Sequence, residues 1–335
     1  MQRTSIITAG IATMLLAAPA LAATPDLKLI NAINVGGSGG WDYASFDPVS
    51  HRVLLSHNSS IAAVNVDTGT VTAHLADANG SHIALATGDG KALLITNGKA
   101  DDVTVNDATT GAVLRTLATD HGPDGAIIDT ATGRAFVMAN HGGYIDVIDP
   151  GLTTVVAHIP AGGAPEAAAS DGEGLVFTHL EDKNALVVID ANTMTVKTTY
   201  AMPDCDEPSG LAFIAGKRLL LSACHNGVAR VTDADTGAEV ATLPIGQKPD
   251  FALYDTGRQL GYIPCGDGTL TVIDFSGDAP IVAEVVATKT GARTATLDPA
   301  TGRIYLPTAD YGAPEKPGDR PPVIDGTFEL LVVGP

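Results

Sequence analysis

Histidine and carboxylate side chains gather in the polar segments that separate the apolar runs of this 335-residue chain. Six of the nine histidines, His57, His82, His121, His141, His179 and His225, lie in such segments, among Asn, Asp and Glu. Neutral imidazoles and carboxylates brought to one place can hold a transition metal or move protons on a bound ligand. The candidate metal ligands are His57, His141, His179 and His225, and the implied cofactor is a divalent transition metal, Zn²⁺ or Cu²⁺. Trp41, Asp42, His82, Asp124, Glu166, Asp250 and Arg293 are the candidate ligand-binding residues, with Arg293 as an anion clamp. A metal-bound water there would act as a nucleophile on a lactone or ester. His, Asn and Asp are also common turn residues that bond to their own backbone, so enrichment alone does not decide between a site and a set of turns.

No compact motif names a catalytic residue. The chain has no H-E-x-x-H, no G-x-S-x-G elbow, no phosphate-binding glycine loop and no C-x-x-C-H haem attachment. Any site must therefore be assembled from distant segments by the fold.

The elements that would assemble it repeat. A small polar residue follows a β-rich run at Asn65, Asp107, Asp149, Asp190, Asp233 and Asp274, at spacings of 41 to 43 residues. A period of roughly 40–45 residues carried by short strands is the signature of a β-propeller with one four-stranded blade per repeat. Each unit reads as a short first strand, a Gly-containing turn, an apolar second strand such as Val53-Leu54-Leu55, a third strand ending in the marker, and a fourth strand such as Val71 to Leu75. No convincing amphipathic helix interrupts the pattern.

The last unit has no fourth strand: after Arg303 to Leu306 and an irregular stretch, 310–327, the chain ends in Phe328 to Val333. Leu27 to Ile33, near the N-terminus, is a strand without a blade. Pairing the two closes the ring and removes the open sheet edge. The expected fold is all-β, a seven-bladed propeller latched by its N-terminal strand. In it, the loops entering each first strand and those leaving each second strand meet around the central channel, where the candidate residues fall.

The Val-x-Val-Ile-Asp-x-x-Thr-Gly repeat, the turn Asp298 to Leu306 and the Pro-rich ending from Thr308 to Val323 resemble the YVTN or YncE-like propeller proteins of bacterial envelopes. The resemblance covers the chain beyond its first residues. It implies the propeller fold and an envelope location, and it assigns no catalytic residue.

The front of the chain sets an expected compartment. Met1-Gln2-Arg3 is short and positive, Ile6 to Ala18 is apolar, and Ala20-Leu21-Ala22 is an A-x-A cleavage site. Residues 1–22 read as a secretory signal and 26–335 as the propeller, which places the protein in the periplasm with no transmembrane segment. An oxidising compartment favours one disulfide, Cys205 with Cys224 or Cys224 with Cys265, leaving the third cysteine free. The 38 acidic against 19 basic residues, a net charge of −19, repel phosphate backbones and anionic lipid. Nucleic acid is thus excluded as a default partner, and a small molecule or an envelope protein is expected to meet a monomer. Trp41, the single tryptophan, is placed to stack on a ligand or to pack against Tyr43, and the 310–327 insert to form a rim over the same face.

These residues give a binding or interaction propeller that uses a His/Asn/Asp-rich channel face to hold a small ligand, metal or protein partner. The alternative is a metal-dependent lactonase, hydrolase or lyase at the same place.

Overall fold

The marker residues show why the repeat folds as it does. In the computed structural model, which describes residues 26–314, 316 and 321–335, each marker carboxylate or amide caps the turn after its own strand. Asp233 Oδ1 accepts from the N–H of Asp235 (3.1 Å), the N–H of Thr236 (2.8 Å) and Thr236 Oγ1 (2.7 Å). Asn65 and Asp107 bond their turns in the same way. The glycine that completes each of these turns, Gly69, Gly111 or Gly237, has φ of 71–73°, a left-handed conformation that suits glycine.

These turns join strands into seven antiparallel four-stranded sheets among the described residues. Blade one is Trp41–Asp47, Arg52–His57, Ser60–Asn65 and Val71–Asp77. Blades two to six begin with Ser81–Ala86, Pro123–Ile128, Pro165–Ser170, Pro208–Ile214 and Leu253–Asp255, each followed by three strands in chain order. Blade seven takes Thr296–Asp298, Arg303–Thr308 and Glu329–Gly334 from the C-terminal part and Lys28–Asn34 from the N-terminal part. The latch strand runs antiparallel to its partner from Lys28 opposite Gly334 to Asn34 opposite Glu329. This is the expected fold, closed in the expected way.

Middle strands are buried on both faces, which is why they read as unbroken apolar runs and not as alternation. In the second strand of blade one, Val53 and Leu55 pack toward Phe328 and Leu330 of blade seven. Leu54, on the opposite face, packs toward Leu93 and Ile95 of blade two. Seven apolar clusters result, one at each seam between blades. Each fully buried Val, Leu or Ile contributes roughly 1.5–3 kcal/mol, so the seams hold the ring rigid around its channel.

Cys205 is bonded to Cys224 and Cys265 is a free, buried thiol. That settles the open pairing: Cys224 reaches back to the loop entering its own blade, not across to blade six. The segment predicted as a signal, 1–22, lies outside the described residues, as do 315 and 317–320 of the insert. Among the described residues no helix is long and apolar enough to cross a membrane.

Candidate functional site

A bulge at the start of the inner strand of blades one to five builds most of the site. Blade one pairs Trp41 with His57 and Ala44 with Leu55, so Asp42 and Tyr43 oppose the single residue Ser56. The same irregularity follows Ser81, Pro123, Pro165 and Pro208 in blades two to five. A bulge carries one extra residue and re-aims side chains locally. The residue after each of these positions, Asp42, His82, Asp124, Glu166 and Ser209, takes the same register in successive blades. Asp250 follows Pro249, which bridges to Cys265 in blade six, and Arg293 follows Ala292 in blade seven. One side chain per blade thus forms a ring of seven at the channel end.

Neighbours in the ring are paired. His82 Nδ1 lies 2.6 Å from Asp42 Oδ2 and 3.4 Å from Asp124 Oδ1. Glu166 accepts from Tyr43 OH at 2.8 Å and from Asn140 Nδ2 at 2.9 Å. Ser209 Oγ donates to the Pro249 carbonyl (3.0 Å), Arg293 Nε meets Asp250 Oδ2 (3.1 Å), and Thr294 Oγ1 donates to the Asp42 carbonyl (2.9 Å). Tyr43 reaches from blade one to Glu166 of blade four, and its ring lies 5.3 Å from that of Phe251 in blade six.

Charge is concentrated here. Four carboxyls face two basic groups, with Glu181 close enough to add to the field on Asp124, Glu166 and Asp250. Burial, then the neighbouring carboxylates, pushes Asp124 and Glu166 well above the ordinary range. Burial pushes Asp250 up to about 6 against the pull of Arg293. For His82, burial opposes protonation, but the hydrogen bond and charge of Asp42 outweigh it and hold the imidazole above its ordinary value. Burial likewise raises Tyr43, with Glu166 adding to it.

A cavity of about 600 Å³ opens on this ring, lined by Trp41, Asp42, His82, Arg293, Tyr311 and Pro321 to Val323. The described part of the insert therefore walls the same face as the ring. Trp41 packs on Phe328 (5.4 Å between ring centres) and Tyr311 (6.1 Å). Tyr43 instead turns into the channel.

The four histidines named as metal ligands occupy four successive registers. Counted from the residue opposite the start of each inner strand, His179 lies one before, His57 on it, His225 one after and His141 two after. They consequently face different surroundings. His57 stacks on Phe328 at 4.2 Å, and burial lowers its basicity. His179 is fully buried against Ser222, Nε2 to Oγ 2.9 Å. His225 Nδ1 meets Glu207 at 2.9 Å, and His141 lies beside His121, ring centres 5.7 Å apart. Among the described residues, the His, Cys, Asp and Glu side chains whose donor atoms gather in a group of three or more within 4.8 Å of one another are Asp42, His82 and Asp124.

No family model matches the chain, and no curated protein matches it in sequence. Solved structures do match. A chain of the "Crystal Structure of Mitotic Checkpoint Complex" superposes with a TM-score of 0.74 at 15% identity, over 90% of this chain and 95% of that one. A chain of the Kuenenia stuttgartiensis hydrazine synthase gives a TM-score of 0.70 at 17% identity, over 87% and 95%. At such identities the likeness shows the propeller fold alone.

Tyr43, Asn140, Ser209 and Glu181 belong to the site although the sequence does not single them out. Ser209 carries a signal in hindsight: it follows Pro208 as Asp124 follows Pro123, Glu166 follows Pro165 and Asp250 follows Pro249. Tyr43 carries none, because its partner Glu166 is 123 residues away.

Proposed function

We propose that this protein is a binding propeller of the bacterial envelope that holds a small, positively charged ligand at the channel end. The observation that supports this most is the ring itself, with Asp42, Asp124, Glu166 and Asp250 set against His82 and Arg293 at one register. Asp42 and Asp250 are matched by the two basic groups, while Asp124 Oδ1 accepts no hydrogen bond. Trp41 and Tyr311 supply an aromatic wall against which a cation is also favoured.

The YVTN or YncE-like resemblance, the A-x-A segment at residues 20–22 and the net charge of −19 support the envelope assignment. Hydrolysis of a lactone or ester is a second reading, favoured by the cavity being lined by Asp42 and His82 of the Asp42–His82–Asp124 group.

Calorimetric titration of the purified protein with Mn²⁺, Co²⁺, Zn²⁺ and a series of small primary and quaternary amines tests the charge reading. Binding by at least one of these, weakened about tenfold or more by Asp250→Asn, is expected. Binding confined to anions would reverse the assignment.

A further inference from the structure

Three donors from three successive blades point inward to one place. We propose that Asp42, His82 and Asp124 form a binding site for a single divalent transition-metal ion, with an open coordination position facing the cavity. This rests on reading the channel end as a ligand site and names the ligand's class.

The geometry selects the donor atoms. The Nε2 side of His82 is turned toward Gly98, where even a Cβ atom would lie 2.7 Å away, so Nδ1 is the nitrogen that meets the carboxylates. Metal–nitrogen and metal–oxygen bonds of roughly 2.0–2.2 Å space their donors about 3–3.5 Å apart. The 3.4 Å between His82 Nδ1 and Asp124 Oδ1 already has that spacing. The 2.6 Å between His82 Nδ1 and Asp42 Oδ2 is a hydrogen-bond distance, and it widens when an ion replaces the shared proton and releases it to solvent.

A second observation is independent of this clustering. Asp124 Oδ1 is shielded from solvent and accepts no hydrogen bond. Buried polar atoms in folded proteins are otherwise almost always satisfied, so this oxygen calls for an electropositive partner. The 3.4 Å approach of His82 falls short of a hydrogen bond, whereas an ion between the two would satisfy both.

One imidazole and two carboxylates make a nitrogen–oxygen donor set, suited to Zn²⁺, Co²⁺, Mn²⁺ or Fe²⁺ and not to a thiolate-preferring ion. The cysteines lie elsewhere, two in a disulfide and Cys265 in the core between blades five and six. With three protein donors, the remaining position faces Trp41, Tyr311 and Arg293 across the cavity. This is the arrangement of a site that presents an ion to a further small molecule and not of a closed structural site.

The test is titration of EDTA-treated protein with Co²⁺, followed by its visible spectrum, and with Zn²⁺, followed by calorimetry, alongside Cu²⁺ electron paramagnetic resonance. One ion per chain and hyperfine coupling to one imidazole nitrogen are expected. Asp42→Asn and Asp124→Asn should each weaken binding at least tenfold and His82→Gln should remove the nitrogen coupling, while His57→Ala and His225→Ala leave both unchanged. Thermal unfolding of each variant checks that it is folded, and the conservative Asn and Gln replacements keep the test available if larger changes disrupt the ring. No binding of Co²⁺ or Zn²⁺ at millimolar concentration, or binding unaffected by all three site variants, overturns the inference. If a small amine still binds and Asp250→Asn weakens it, the metal site fails and the channel-end reading stands; if neither metal nor amine binds, both fail.

Discussion

Replacing His179 should change how the fold responds to acid. Its ring lies in the second strand of blade four, wholly buried, with Nε2 2.9 Å from Ser222 Oγ of blade five and Nδ1 without a partner. Burial alone pushes the imidazole from the ordinary 6.5 down to about 3. Between those values the unfolded chain binds a proton that the folded chain refuses, so stability is intact above pH 6.5 and falls as pH drops toward 3. Each unit is worth about 1.4 kcal/mol, which gives a loss of roughly 2.7 kcal/mol by about pH 4.5. The raised carboxyls work in the opposite sense. Asp250, pushed up to about 6, binds its proton more readily when folded and adds stability as pH falls. Only a comparison with a variant therefore isolates the histidine. Guanidinium unfolding of wild type and His179→Gln should be followed at neutral pH and at about pH 4.5; Gln keeps a hydrogen-bonding partner for Ser222 without titrating. The wild type should lose roughly 2–3 kcal/mol more than the variant over that interval. Equal losses in the two proteins would refute the account, because they would mean that His179 is protonated in place or is not desolvated.

The disulfide joins residues 19 apart, and a closed loop of this size stabilises by roughly 3 kcal/mol. Reduction should lower unfolding free energy by about that amount. Thiol titration should find none reactive in the native protein, where burial pushes Cys265 up to about 12, one after unfolding and three after reduction; three before reduction would remove the bond. Asp233→Ala removes all three hydrogen bonds that cap the blade-five turn and should cost roughly 1–2 kcal/mol in chemical unfolding, with Asp233→Asn costing less. An unchanged midpoint for the Ala variant would show that the backbone holds this turn unaided.

The blade period and the latch were legible because both follow from local chemistry. Asp233 and its counterparts announce a turn by bonding to the backbone two and three residues on, and the doubly buried strands between them read as apolar runs. Leu27 to Ile33 stood out as a strand without neighbours, and an unpaired edge in the last blade has one economical solution. Placement of side chains at the channel was less legible. A strand reverses its facing with every residue, so an error of one position moves an imidazole from the bore to a seam. Neighbouring loops in the sequence cannot convey that. His57, His141, His179 and His225 fall in one family of loops and yet take four registers, while Asp42, His82 and Asp124 share one. Tyr43 was invisible for a further reason: its contact with Glu166 joins blade one to blade four and exists only once the blades are assembled around the channel.

The two sets of equivalent positions also differ in what occupies them. At the turn markers the residue is Asn once and Asp five times, because six turns pose the same problem and one short acceptor solves it. At the channel ring the equivalent position is filled by Asp, His, Asp, Glu, Ser, Asp and Arg. Seven equivalent positions could have been filled by one residue type if their only task were to line the channel. Instead three of the carboxyls and one imidazole lie in consecutive blades, from Asp42 to Glu166, and the guanidinium lies in blade seven beside Asp250 of blade six. A nominally symmetric ring has thus acquired an acidic side and a basic edge. Such polarity orients a ligand within the cavity, which a structural plug does not require. The departure from repeat chemistry at this one register is the strongest reason to look for function there.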